Sequence, residues 1–326
     1  MPAIRASIAA VAVVAIAGMG MAGAEGAGAA TRKPAPKSPA VLRAACKGTL
    51  VASTTGTVQS NAVTEASGIA ASGRVDDVYW VHNDSGDTAR VFAIGGDGRD
   101  LGEYDLADAT AVDWEDIDVG PGPAAGVSYI YVGDIGDNAQ NRPSVVVYRV
   151  REPLVNPDAP APPPQTLSGV DALTFTYPDG PHDAEALIVD PVRGDIYIVT
   201  KDLIAGRAQV FRAPPNLEGG TTTMLTQVAT LSLGPLRGVT GGDVTRTGDV
   251  VALRTYFSVV LFPRRAGQPL AKAFSEKSCA GAAPRFGALG TGSERQGEAI
   301  GFTRNGRAYL TLSEGEHTEV HRFDVP

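Results

Sequence analysis

Four carboxylates crowd into six positions of the stretch ATAVDWEDIDVG, residues 109–120: Asp113, Glu115, Asp116 and Asp118. Val112, Trp114, Ile117 and Val119 alternate with them and are as apolar as a core strand. Carboxylates brought that close must protonate, pair with cations or bind metal. Three chemistries are therefore open. The acids can pair with Arg142, Lys201, Arg254 and backbone amides while Asp-Gly and Asn-Asp steps make turns. They can ligate calcium, which takes 6–8 oxygens from carboxylates and carbonyls. A transition-metal site is disfavoured, because His317 and His321 in HTEVH fall on a predicted strand, where four residues span about 13 Å. No G-x-S-x-G elbow, H-E-x-x-H pair or phosphate loop is present.

The elements that must carry these residues recur. One strand type appears as VYWVHND (78–84), YIYVGD (129–134), IYIVTKD (196–202), VVALRTY (250–256) and AYLTLSE (308–314). A second follows each: RVFAI (90–94), VVVYRV (145–150), QVFRA (209–213), SVVLF (258–262) and EVHRF (319–323). A third precedes each pair, starting at Ser67, Glu115, Glu185, Gly242 and Glu298. Outer strands are expected at 102–106, 172–177 and 227–233, with a less defined one near 272–280. Four-stranded units in a fixed order are the signature of a β-propeller with long loops. The predicted fold is all-β with five blades, or six if residues 214–240 or 265–292 hide a degenerate one. The last unit ends after three strands, so GTLVAST (48–54) is expected to close it.

In a propeller the innermost strands line a central channel. The loops entering them share a face with the loops between second and third strands. Glu115, Glu185 and Glu298 each start an inner strand, with apolar residues at i+2 and i+4, and period-2 geometry predicts that each Glu shares their side. Three blades then aim equivalent carboxylates at one channel mouth. The polar ends of the second strands arrive there too: Asn83 and Asp84, Asp134, Asp137 and Asn138, Lys201, Arg254, and Glu314.

The chain ends bound the rest. Residues 1–24 read as an export signal, with Arg5, an apolar stretch and an Ala-Gly-Ala cleavage site. Residues 25–45 are an Ala/Pro-rich linker, and the propeller is expected over 46–326. The only two cysteines, Cys46 and Cys279, are expected to form a disulfide in an oxidising compartment, pinning the closing strand. With 36 acids against 28 Lys and Arg, the formal charge is −8, which argues against nucleic acid and anionic membranes as partners. The expected product is a secreted protein with no membrane span after signal removal, and a monomer is expected.

The motifs DAEAL (183–187), GEAIGF (297–302) and LSEGE (312–316) resemble the blade motifs of secreted phytase-like, or esterase-like, propellers. The inner-strand Glu pattern is similar, more distantly, to calcium-dependent propellers of the gluconolactonase and paraoxonase type. WVHNDSGD and YVGDIGDN resemble exported actinobacterial propellers. The resemblance implies a metal, expected to be Ca2+, at the mouth, with Glu115, Glu185, Glu298 and Asp134 as ligands. Asn83, Asp84, Asp137, Asn138, Lys201, Arg254 and Glu314 are then ligand-binding candidates. The first and fourth units depart from the Glu pattern, with Ser67 and with Gly242-Asp243, and no basic cluster suited to phytate is evident. The expected function is binding of a small-molecule or cell-wall ligand. The alternative is a calcium-dependent hydrolase of esters, lactones or phosphoesters, with Glu115, Glu185 or Asp134 as base.

Overall fold

A computed structural model describes residues 38–284, 294 and 296–326. The expected export signal and residues 25–37 of the linker lie outside the described residues. The apolar runs form five antiparallel blades, each with its first strand innermost. Blade one is β2 (Ala66–Ala71), β3 (Val78–Asn83), β4 (Arg90–Gly95) and β5 (Asp100–Leu106). Blade two is β6 (Trp114–Pro121), β7 (Ser128–Asp134), β8 (Val145–Arg151) and β10 (Asp171–Thr176). Blade three is β11 (Ala184–Val189), β12 (Ile196–Thr200), β13 (Arg207–Ala213) and β15 (Thr226–Ser232). Blade four is β16 (Val239–Val244), β17 (Val250–Thr255), β18 (Ser258–Pro263) and β19 (Cys279–Gly281). Blade five is β20 (Gly297–Phe302), β21 (Ala308–Ser313) and β22 (Glu319–Asp324), completed by the N-terminal strand β1 (Val51–Thr57), antiparallel to β22. No sixth blade exists among the described residues: 214–238 and 265–284 supply outer-edge strands and connections of the five, and 239–240 begin the innermost strand of blade four.

Because both faces of each blade are covered by neighbours, the middle strands are apolar throughout rather than alternating. The core is accordingly split into inter-blade layers. Trp80, Trp114, Ile117 and Ile130 fill the gap between blades one and two, and Leu173, Phe175, Leu187 and Phe211 that between two and three. Tyr197, Val210, Leu253 and Phe262 lie between three and four. Ile300, Phe302 and Tyr309 pack on Val259 and Leu261 between four and five. Ile69, Phe92, Leu310 and Val320 close the ring between five and one.

Blades radiate, so the gaps widen outward and are filled by borrowed strands, a 3-10 turn or a helix. The Pro-rich excursion at 152–165 lies between the third and fourth strands of blade two, and it returns a short strand, β9 (Gln165–Leu167), parallel to β5 of blade one. The corresponding loop of blade three lends β14 (Thr222–Met224) to β10 of blade two. Leu270, Ala273 and Phe274 of a 3-10 turn enter the layer between blades three and four. Between four and five sits a helix, α1 (Ala40–Lys47), which buries Val41, Leu42, Ala44 and Ala45 and ends on left-handed Gly48. The last part of the expected linker is therefore ordered. Its Ala-rich composition masked an apolar stripe whose partner lies more than 200 residues away in sequence. The end of β1 and the residues after it lie on the 95–98 turn of blade one, where Thr55 Oγ1 donates to Gly96 O at 2.6 Å and Gln59 N to Gly98 O at 2.8 Å.

Cys46 and Cys279 are disulfide-linked, as expected, but Cys46 sits on α1 and Cys279 on the outer strand of blade four. The bond thus pins the helical wedge, and the closing strand only through it. It closes 233 residues, for which chain entropy gives about 5 kcal/mol. Reduction, or the paired change C46S/C279S, is expected to lower the urea midpoint without changing the β signal in circular dichroism. An unchanged midpoint would show that α1 docks equally well untethered.

Candidate functional site

Each innermost strand is interrupted at one place, and it is the same place in all five blades. Register shifts fall between Ala66 and Gly68, Trp114 and Asp116, Ala184 and Ala186, Val239 and Gly241, and Gly297 and Ala299. The bulged residues are Ser67, Glu115, Glu185, Thr240 and Glu298. Three are the sequence-predicted acids; in the fourth blade the equivalent is Thr240, two residues before the Gly242 expected. The bulge also corrects the expected parity. Trp114 and Ile117 are three apart yet share one apolar layer, so Glu115 does not share a side with Ile117. It is released toward the mouth instead.

The other acids of DWEDIDVG serve the channel. An innermost strand has no partner on its inner edge, and its buried N–H groups need acceptors. Asp116 accepts from its own strand at Ile117 N (2.9 Å), from Leu187 N of blade three (2.9 Å) and from Gly242 N of blade four (3.0 Å). Asp118 accepts from Val189 N at 2.6 Å, and Asp243 accepts from Phe302 N of blade five. Ser67 and Thr240 act in the opposite sense, donating to the carbonyls of Glu115 (2.7 Å) and Gly297 (2.9 Å) in the following blade. Burial pushes the carboxyls of Asp116 and Asp118 upward, and that of Asp243 up to about 7, against the pull of these hydrogen bonds.

At the mouth two overlapping sets of carboxylate oxygens lie within 4.8 Å of one another: Asp84, Asp113 and Glu115, and Glu115, Asp183 and Glu185. Half-buried Asp84 and Asp113 form the lip, and buried Glu115, Asp183 and Glu185 the floor. Burial raises Glu115, and Glu185, Asp84 and Asp113 raise it further. Burial also raises Glu185, although Lys201 is ion-paired to it. That ammonium is held protonated by Glu185 despite its own burial, with its Nζ 5.3 Å from the centre of the Tyr256 ring. Gly136 roofs the first set: a Cβ there would fall far inside contact distance of Glu115 Oε1 and Asp113 Oδ2.

The remaining predicted residues divide. Glu298 is raised by burial and by Glu185, and its Oε2 is buried with no hydrogen-bond partner, but it joins neither close set. Asp134 is committed to Arg142 at 2.7 Å and to Val112 N and Asp113 N, both at 3.2 Å. Asp137 caps its loop by accepting from Asn141 N and Arg142 N. The amide of Asn83 is consumed by Thr64 N, Glu65 N, Ala62 O and Asp87. Asn138 is exposed outside the cluster. Arg254 is buried against Glu294, and Glu314 accepts from Gln296 Nε2 at 2.8 Å. Asp113 and Asp183 were not among the predicted metal ligands, yet they stand in a repeated D-x-E, two residues before a bulged Glu in blades two and three. Also missed was an apolar rim on the same face: Val112, Leu203, Ile204, Leu236 and Phe257 are exposed in loops of blades two to four.

No protein-family model matches the chain, and no curated protein does. Among solved structures, Raptor from Chaetomium thermophilum matches at a TM-score of 0.41 and 8% identity, over 84% of this chain and 29% of that one. An auxiliary nutrient binding protein from Bacteroides thetaiotaomicron matches at 0.43 and 8%, over 84% and 76%. These are loose backbone correspondences. The resemblance to phytase-like propellers therefore rests on the quoted motifs alone.

The channel acids dictate a pH dependence. With a folded pKa near 7 against an ordinary 3.8, Asp243 takes up a proton more readily in the folded state. Its stabilising contribution is complete below about 4 and lost as pH rises through 7. In metal-free buffer the Tm is expected to be higher at pH 5 than at pH 8, and D243N, which imitates the protonated carboxyl, should flatten that slope. A Tm that falls on acidification from 8 to 5 would contradict the assignment.

Proposed function

We propose that this chain is an exported β-propeller binding protein whose acidic mouth holds a calcium ion, and that the ion and the apolar rim together take a small-molecule or cell-wall ligand. The observation that carries the reading is the set Asp84, Asp113 and Glu115. These three carboxylates from two blades converge within 4.8 Å, and none is ion-paired with Lys or Arg among the described residues. Arg142, the cation beside Asp113, is spent on Asp134 and Gly136 O, and Lys201 is spent on Glu185. All the donors are hard oxygens, the chemistry that selects calcium or magnesium over zinc. A Cβ at Gly136 would collide with Glu115 Oε1 and Asp113 Oδ2, so glycine there is what lets the two carboxylates approach the loop backbone.

Bound there, calcium would offset carboxylates whose charged form burial disfavours and would polarise a ligand oxygen. Asp84, Asp113 and Glu115 hold it; Lys201 keeps Glu185 as a fixed ion pair beside it; Ile204, Leu236 and Phe257 receive an apolar portion of the ligand. The disulfide suits an oxidising compartment, in keeping with export. Hydrolysis of an ester or phosphoester would use the same ion, and turnover separates the two readings.

Calcium titration of the full chain is the test. An ion bound only by the folded state stabilises by about 2.7 kcal/mol at a hundredfold excess over Kd, so millimolar calcium is expected to raise the Tm. D113N, E115Q and G136A should each weaken calcium by roughly tenfold or more, equivalent to about 1.4 kcal/mol. E298Q should leave it within about twofold, since variants outside the set do not couple to it. No binding heat and no Tm shift would remove the proposal. Calcium-dependent turnover of an ester, lactone or phosphate would replace binding with hydrolysis.

A further inference from the structure

The opposite end of the channel carries the opposite charge. Arg74 stands in the β2–β3 turn, Arg151 at the end of β8, Arg246 in the β16–β17 turn and Arg304 in the β20–β21 turn, so four blades contribute arginines to this face. Three meet around one short segment. Arg246 Nη1 donates to Gly73 O at 2.8 Å, Arg304 Nη2 to the same oxygen at 3.3 Å, and Arg74 Nη1 to Glu152 O at 2.9 Å. A cavity of about 550 Å³ opens beside them, lined by Arg74, Arg151, Arg246 and Glu152 together with apolar Val119 and Val127. Ligand sites commonly fall at about 300–1,000 Å³.

The charges there do not cancel. Asp76 is taken up by Arg304 at 2.6 Å. Glu152, buried beneath the cavity, accepts from Ser72 Oγ at 2.5 Å and Trp80 Nε1 at 3.0 Å through one oxygen, and is the one acid in the lining. Three guanidiniums therefore face it. Arg74 and Arg246 each use one Nη on a backbone carbonyl, which fixes the fork while leaving its other donors directed elsewhere. Arg304 Nε, in the adjoining narrow end of the channel that Asp118 and Asp243 also line, is a buried donor with no acceptor, while those two acids are turned to the backbone amides of Val189 and Phe302. In a chain with eight more acids than cations, such a convergence is a local reversal of the field.

We infer that this lower mouth is a second binding site, for a small oxyanion-bearing molecule whose phosphate or carboxylate is gripped by Arg74, Arg151 and Arg246 while its body lies against Val119 and Val127. Guanidinium forks match both oxyanions bidentately, and orientation by backbone carbonyls reduces the ordering cost of gripping one. The site is independent of the acidic mouth: it shares no residue with it and needs no metal.

Pyrophosphate is the probe, titrated into the chelator-washed full chain by calorimetry at low ionic strength and again near physiological salt. Saturable one-site binding is expected. It should weaken at least tenfold in R151E and R246E and stay unchanged in R265E, a variant of an exposed arginine paired with Glu276 on the outer rim. If R246E proves unstable through loss of its bond to Gly73, R151E carries the test, since the guanidinium there is exposed at the cavity edge. E115Q should bind pyrophosphate normally, which separates this site from the calcium proposal. Citrate and inorganic phosphate then distinguish carboxylate from phosphate preference. Absence of binding by all three anions at low ionic strength, or equal binding by wild type, R151E and R246E, would overturn the inference.

Discussion

A ring of blades has an edge it cannot pair. The outer edges can be covered by a neighbour's loop, a helix or the chain terminus, but the inner edge of every first strand faces the channel, where its amides lie out of bulk water. Most of the unusual chemistry of this chain answers that constraint. Asp116 binds amides of three blades at once, and Asp118 and Asp243 each bridge to the next. Ser67 and Thr240 cover carbonyls where a bulge turns them inward. Charged-acceptor hydrogen bonds are worth roughly 1.5–3 kcal/mol each, against the desolvation that pushes these carboxyls upward. The like charge in DWEDIDVG is thus divided between two tasks: Asp116 and Asp118 staple the channel, while Asp113 and Glu115 form part of the mouth.

The same geometry sets the site. Bulges at one height in all five inner strands break period-2 alternation and turn one residue per blade out of the apolar layers. Where that residue is Glu, a buried acid is delivered to the mouth. Where it is Ser or Thr, a hydroxyl ties the next blade instead. Blades two and three precede the bulged Glu with an Asp two residues earlier, so acidity concentrates on that side of the ring. Lys201 and Arg142 neutralise Glu185 and Asp134 but leave Asp84, Asp113 and Glu115 without an ion pair.

Closure and polarity are coupled through the outer wedges. Two blades borrow a parallel strand from the following blade, one gap takes a 3-10 turn, and one takes the disulfide-tethered helix. Each plug is a segment whose own sequence is Pro-rich, Ala-rich or short, and each gains its stability from the widening gap it fills. Loops at one face then carry the carboxylates and the apolar rim, and turns at the other carry the arginines.

What the sequence determined by itself is whatever is local or periodic. The strand repeats, the fixed order of strand types and the missing last strand specified five blades and their closure, because a propeller repeats one supersecondary unit. The same repeats located Glu115, Glu185 and Glu298. The tertiary structure alone decided which acids meet. Asp183 joins Glu115 and Glu185 because β11 lies beside β6 in the ring, whereas Asp134, one strand away, turns to Arg142. It alone decided the parity at each bulge, since an extra residue is visible only against the strand that opposes it. Residues 40–45 became helix for the same reason. Their short apolar stripe is too weak to fold alone, and it acquires a partner only when blades four and five come together around it.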